Sequence, residues 1–184
     1  MMSLEWKVLS STYLHRDTWL TARQDSCVMP SGKLVEKYYV LEYANWVNGV
    51  AITEEGKIIL IRQYRHGTGK VLLEIPAGAM DPTDPSPEFA MRRELLEETG
   101  YDFADITLLG TICPNPASSN NYAHMFLATG GKKVQEQDLD DTEEIEILLM
   151  DREEVMTLLR NKEIMQSLHI SCLFYAFLHL GWLQ

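Results

Sequence analysis

The chain has 184 residues, 46% of them apolar and 23% charged, the balance of an ordinary globular protein with one sizeable core and a small appended element. Its formal net charge of −11 excludes the broad basic footprint that nucleic acid or an anionic membrane surface requires, while one small anion held by a local arginine or a metal stays compatible with it. The three cysteines, Cys27, Cys113 and Cys172, are odd in number and far apart, so neither a disulfide framework nor a CxxC zinc site is expected, and a reducing, cytoplasmic setting fits.

The segment from Met1 to Lys7 lacks a basic region followed by an apolar run, so no signal peptide is expected. Residues 1–45 alternate short β-like runs with polar breaks, Lys37–Tyr43 being the clearest strand. Trp46–Thr53 and Lys57–Arg65 follow as stronger strands joined by Glu54-Glu55-Gly56, a hairpin; in the second, Ile59, Ile61 and Gln63 alternate with Leu60, Arg62 and Tyr64. Val71–Ile75 is a further short strand, stopped by Pro76. Asp81–Pro87 is a loop, and Ser86-Pro87-Glu88 reads as a helix start: a hydroxyl cap, a proline suited to the first position and an acid at the positive end of the dipole. That helix runs to about Thr99, and Gly100 closes it. Thr107–Ile112, Ala123–Ala128 and Glu144–Met150 are three more strands, the first two separated by a Pro/Ser/Asn loop at Cys113–Asn121. Two helices end the chain, Asp151–Arg160 and Ile164 to about Trp182, the second with Leu168, Cys172, Tyr175 and Leu178 as its core stripe. Its apolar stretch, Ile170–Leu183, is too short to span a bilayer. The order predicts an α+β fold with a mixed sheet, not a doubly wound repeat.

Glu94, Glu97 and Glu98 stand at i, i+3 and i+4, so all three project from one face of the central helix. Like charges at that spacing repel by about 0.2–0.5 kcal/mol per pair, and they sit toward the end of the helix that disfavours anions. Divalent cations would offset both effects. Gly78 ahead of the helix, Arg93 beside the cluster and Gly100 after it complete a pattern. The segment Gly78–Tyr101 resembles a Nudix box, which Gly78, Arg93, Glu94, Leu95, Glu97, Glu98 and Gly100 match. It departs in two places. Tyr101 takes a position that is usually aliphatic, and the stretch from Gly78 to Arg93 is one residue longer than the pattern. The upstream glutamate therefore falls on Pro85, and the neighbouring Asp84 is expected to support the motif's arginine instead.

The similarity extends over roughly residues 36–182. Arg62-Gln63-Tyr64-Arg65, Leu73-Glu74-Ile75-Pro76-Ala77-Gly78, Pro116 and His124–Ala128 resemble the ADP-ribose pyrophosphatase branch of that family. The resemblance implies an α/β/α sandwich over residues 46–184, with the strands of residues 1–45 as a dimerisation element of a homodimer. It implies Mg²⁺, with Mn²⁺ as the alternative, on Glu94, Glu97, Glu98 and the carbonyl of Ala77. Arg65, Arg62 and Glu74 are implied at the substrate, and Glu143 or Glu144 as the group that orients water, with Glu97 or Glu98 as the alternative base. Trp46 is implied as the aromatic on the nucleobase, ahead of Trp19 and Tyr39. The expected activity is hydrolysis of a nucleoside diphosphate sugar, ADP-ribose first. GDP-mannose or another nucleoside diphosphate derivative is the alternative within the class, and a non-catalytic nucleotide-sugar sensor the alternative outside it. Cys113–Ser118 departs from the Ser-Pro-Gly of many relatives.

Overall fold

The structure is a computed structural model and describes residues 3–183. Its chain forms two compact units, one of residues 1–44 with 113–122, the other of residues 45–112 with 123–184. The first is a three-stranded antiparallel sheet of β1 (Lys7–Arg16), β2 (Thr21–Val28) and β3 (Leu34–Glu42). Asp17 shapes the first turn: its Oδ1 accepts from the backbone N–H groups of Trp19 (2.8 Å) and Leu20 (2.7 Å). Gly32, at φ +83°, turns the chain into β3. The returning loop is fastened to this sheet, because the N–H of Leu41 donates to Ser118 O (2.7 Å) and the Tyr38 hydroxyl to Ala117 O (2.7 Å). Every residue of β1 is exposed, Val8, Leu9, Tyr13 and Leu14 among them.

The second unit is built on a mixed sheet. In chain order its elements are β4 (Trp46–Thr53), β5 (Ile58–Arg65), β6 (Lys70–Glu74), β7 (Ala77–Ala79), α1 (Pro87–Thr99), β8 (Tyr101–Asp102), β9 (Asp105–Ile112), β10 (Ala123–Lys133), β11 (Ile145–Met150), α2 (Arg152–Arg160) and α3 (Ser167–His179). The sheet runs β11-β5-β4-β10-β8, with β6 on β5, β7 on β4 and β9 on β10. β10 lies parallel to β4, and the other pairings are antiparallel. Both faces are covered, which gives the α/β/α layering expected. On one face α1 packs Met91 and Leu95 against Val47, Ala51, Ile59 and Phe126. On the other, α3 packs Leu173 and Phe177 against Val50, Ile58, Leu60 and Leu127, with Val155 of α2. Covering on both sides explains why Ile58–Ile61 are buried in succession.

Three details differ from the sequence reading. β7 and β8 are too short to leave a period, and β10 continues past Ala128 to Lys133 because it also pairs with β8. α3 begins at Ser167 and ends at His179. Its buried stripe is Leu168, His169, Cys172, Leu173, Ala176 and Phe177; Tyr175 and Leu178 lie outside these two i, i+4 rows and are exposed, so they are not core. Among the described residues, no helix is long and apolar enough to cross a membrane.

The corrected facing of α3 has a direct consequence. Phe177→Ala is expected to cost about 3–5 kcal/mol in urea unfolding, whereas Tyr175→Ala and Leu178→Ala should each cost less than about 1 kcal/mol.

Candidate active site

The site is organised by α1 and by the strand wall in front of it. Ser86 Oγ accepts from the N–H of Phe89 (3.1 Å), with Pro87 in the first helical position. At the other end Gly100, at φ +74°, donates its N–H to Leu96 O (2.9 Å). A Cβ there would stand 2.2 Å from the carbonyl oxygen of Gln135. The caps thus fix the helix register, and the register fixes the glutamates.

Glu94 and Glu98 point at the segment Ala77–Gly78. The N–H of Ala77 donates to Glu98 Oε2 at 3.0 Å. A Cβ on Gly78 would lie 2.1–2.2 Å from the carboxylate atoms of Glu94, so only glycine leaves room for that side chain. Glu98 is 3% exposed. Burial, and then the charge of Glu94, push its carboxyl well above the usual range. Burial likewise pushes Glu94 up to about 7, against the pull of Arg93. Glu97 is turned to Arg93, whose Nη1 stands 2.8 Å from Glu97 Oε2 and 3.0 Å from Glu94 Oε1. The other edge of that guanidinium meets Asp84, with Nη2 to Oδ2 at 3.0 Å and Nε to Oδ1 at 3.3 Å, and Nη2 also donates to Ala79 O (3.1 Å). Asp84 therefore holds Arg93 from the lengthened loop, and Arg93 in turn holds Asp84 below the usual carboxylate range.

Behind the same wall opens a cavity of about 360 Å³, lined by Trp46, Asn48, Arg65, Ala77, Gly78, Glu143, Gln166 and His169, among others. That volume is in the range of small-ligand sites. Arg65 is fixed by Glu74, which is 1% exposed, with Nη2 to Oε2 at 2.7 Å. Burial disfavours the guanidinium charge, but Glu74, Glu98 and Glu143 hold it protonated. Glu143 reaches the cavity because residues 137–143 are tied to α1: Asp138 N–H donates to Glu97 O (2.9 Å) and Gln137 Nε2 to Glu98 O (2.7 Å).

Not every candidate converges here. Arg62 faces away, paired with Glu146 at 2.8 Å on an exposed strand face, and Glu144 lines a shallow groove beside it. Trp19, in the turn between β1 and β2, and Tyr39, on β3, are exposed. His124 bonds Thr111 Oγ1 (2.9 Å), a structural contact. Two residues passed over in the sequence, Asn48 and His169, line the cavity although each is only 2% exposed. A histidine within the apolar row of α3 and an asparagine inside an apolar strand run were the available signals.

Glu94, Glu97, Glu98 and the carbonyl of Ala77 are the groups that could hold a divalent cation. The donors are all oxygen, as Mg²⁺ requires, and two of the acids are buried carboxyls whose ionised form burial disfavours and a cation would favour. Among the described residues no three acidic, histidine or cysteine side chains are already drawn together around a metal position, since Glu97 is engaged by Arg93.

The NUDIX domain family matches residues 44–169, and the nucleoside diphosphate sugar hydrolase N-terminal domain matches residues 6–41. An ADP-ribose pyrophosphatase of Bacillus subtilis (strain 168) is 29% identical over 165 residues, 89% of this chain and 88% of that protein. A GDP-mannose pyrophosphatase of Escherichia coli (strain K12) is 26% identical over 183 residues, covering 92% of this chain and 91% of that protein. A crystal structure of an ADP compounds hydrolase superposes with a TM-score of 0.84 over 100% of both chains at 23% identity, a likeness of fold.

The pH dependence of folding follows from these groups. Burial lowers His169 to about 4, from an ordinary value near 6.5, so its contribution to stability is complete above pH 6.5 and is lost as pH falls toward 4. Glu94, raised to about 7, acts in the opposite sense over the same window. The difference between the chain and its His169→Gln variant isolates the imidazole. Urea unfolding in EDTA between pH 6.5 and 4 should show the variant losing about 1.4 kcal/mol less per pH unit. Parallel curves would show that His169 is protonated in the folded state.

Proposed function

The chain belongs to the NUDIX domain family, and on that premise we propose that it hydrolyses the pyrophosphate bond of a nucleoside diphosphate sugar, with ADP-ribose giving AMP and ribose 5-phosphate. The observation that carries this reading is the pair of buried carboxylates, Glu94 and Glu98, set against a wall with no side chain at Gly78. Buried charge without full compensation costs folding energy, and a site that accepts the cost is built for a cation and an anionic ligand.

In the reaction a water oxygen bonds to one phosphorus, the bridging P–O bond breaks, and each half leaves as a phosphate monoester. Glu94, Glu97, Glu98 and the Ala77 carbonyl are the groups for Mg²⁺, or Mn²⁺ in its place; what the ion supplies is neutralisation of the diphosphate and a more acidic water. Arg65, held rigid by Glu74, grips a phosphate oxygen pair from the side. Glu143, on the loop tied to α1, orients the water and takes its proton. Trp46 gives the cavity a flat apolar wall for a base. Arg62 and Glu144, both outside the cavity, are left with no part in this scheme.

GDP-mannose is the second substrate to test, because the relative that acts on it aligns over 92% of this chain. All three helix glutamates are present, which argues against a sensor that has lost catalysis. We place the enzyme in the cytoplasm, in keeping with its three free thiols, and assign the exposed strand β1, with Val8, Leu9, Tyr13 and Leu14, to a homodimer contact. Light scattering should give twice the chain mass.

The decisive experiment is a panel of nucleoside diphosphate sugars with Mg²⁺, products identified by mass. ADP-ribose should be cleaved to two monophosphates with a catalytic requirement for the metal; absence of monophosphates from every substrate would refute the proposal. Glu98→Gln should cut turnover by several orders of magnitude. It keeps an oxygen for the Ala77 N–H and removes a carboxyl that ionises freely in the unfolded chain but is held back from ionising by burial in the fold, so near neutral pH the same variant should melt several degrees higher in EDTA. A variant that loses activity and melts lower would mark Glu98 as a structural residue.

A further inference from the structure

The geometry points to Asn48 and His169 as a neutral donor–acceptor pair that reads an uncharged, hydrogen-bonding part of the ligand, a sugar hydroxyl or a nucleobase edge, and so sets substrate preference. The assignment rests on the functional reading above for the class of ligand. Its geometric basis is separate from the glutamate cluster. The two residues come from β4 and α3, and both line the cavity that also holds Arg65 and Trp46.

The protonation of the imidazole follows from one contact. His169 Nδ1 lies 3.3 Å from the backbone nitrogen of Ile75. A backbone N–H only donates, so Nδ1 is the acceptor and the ring proton sits on Nε2. Burial keeps the ring neutral near pH 7. His169 thus brings an N–H donor with no net charge to the cavity lining.

Asn48 supplies the complement. Its Nδ2 donates to Leu168 O at 3.0 Å, which fixes the amide with Oδ1 as its other end. Oδ1 is buried and has no hydrogen-bond partner among the described residues. A buried acceptor left unmade costs stability; Gln63 Oε1 and Asn121 Oδ1 share that condition, and what sets Asn48 apart is its place in the cavity lining, where a ligand can supply the donor. Phosphate oxygens only accept, and one placed against Asn48 Oδ1 would set acceptor against acceptor. The group that satisfies both residues must donate to Oδ1 and accept from Nε2–H. A hydroxyl does this alone, and so does an amino group beside a ring nitrogen. Arg65 takes the charged part of the same ligand, which leaves the neutral part for this pair. Both residues act by binding and positioning, and neither is among the groups assigned above to the diphosphate or the attacking water.

The test is binding in EDTA, by titration calorimetry, of ADP-ribose against two analogues. One is the methyl ester of ADP, which keeps the diphosphate and lacks the second sugar. The other is the inosine counterpart of ADP-ribose, which exchanges the amino donor for a carbonyl. The chain should prefer ADP-ribose to at least one of them by on the order of ten-fold. His169→Phe and Asn48→Leu should each bring that ratio to within about two-fold, leaving affinity for the disfavoured analogue unchanged, and His169→Gln, which can both accept and donate, should restore it. Which analogue is disfavoured tells sugar from base. Equal binding of all three ligands by the unaltered chain, no measurable binding of ADP-ribose, or variants that weaken every ligand alike, would overturn the inference and leave the pair a holder of structural water. Turnover of ADP-ribose with Mg²⁺, measured in parallel, reports on the functional reading independently.

Discussion

The constraint on which this molecule depends is the burial of two carboxylates side by side. Glu94 and Glu98 lie one turn apart on α1 and face the same wall, and burial disfavours the charge of both. Several features of the chain answer to that fact. Gly78 is a glycine because the Glu94 carboxylate occupies the place of its Cβ. The Ala77 N–H is spent on Glu98. Arg93 spreads one guanidinium over Glu94, Glu97 and Asp84, so that the cluster is held by a single cation with acids on both of its edges. The arrangement is stable enough to fold and remains short of positive charge, which is the condition for taking up divalent ions and an anionic ligand.

The scaffold makes this arrangement reproducible. The parallel pairing of β10 with β4 centres the sheet under α1, and the packing of Met91 and Leu95 on Val47, Ala51 and Ile59 sets the height of the helix above it. Gly49 contributes to the same closeness: a Cβ there would stand 2.9 Å from Met91 Sδ. The capping at Ser86 and Gly100 then fixes the rotation of the helix, while the bonds from Asp138 and Gln137 to the carbonyls of Glu97 and Glu98 bring the acidic loop to the cavity. Each glutamate therefore has its direction set by contacts made elsewhere on its element.

Much of this was legible in the residues. The caps of α1 follow from local chemistry that acts within four residues, and the hairpin of β4 and β5 from a turn of three. The motif residues share one helix face by spacing alone. The replacement of a missing glutamate by Asp84 was also foreseeable, since a lengthened loop leaves one acid in reach of Arg93. What could not be read depends on distant partners. β7 exists only because it pairs with the start of β4, and β8 only because β10 extends beyond its obvious apolar run. Arg62 and Arg65 occupy alternating positions on one strand, and only the positions of Glu146 and Glu74 decide which of them turns to the cavity. The rows of α3 were misjudged because its sequence is apolar nearly all round, so periodicity could not tell Tyr175 and Leu178 from Leu173 and Phe177. His169 and Asn48 were overlooked for a related reason: a polar residue in an apolar run gives no sign of what it will face.

The overall charge makes the local arrangement matter more. With a formal net charge of −11, the chain as a whole repels a diphosphate, and no long-range attraction brings the ligand in. At physiological ionic strength that repulsion is screened beyond about 8 Å, so what the ligand meets on arrival is decided within a few side chains. Arg65 is the cation that lines the cavity, and it is already committed to Glu74. Ions on the proposed glutamate site would strengthen the hold that Arg65 alone gives a diphosphate, while discrimination among ligands carrying the same diphosphate falls to neutral groups. On the proposed reading the labour divides with the charge: acids on α1 set how tightly a diphosphate is held, and uncharged residues on β4 and α3 select what is attached to it.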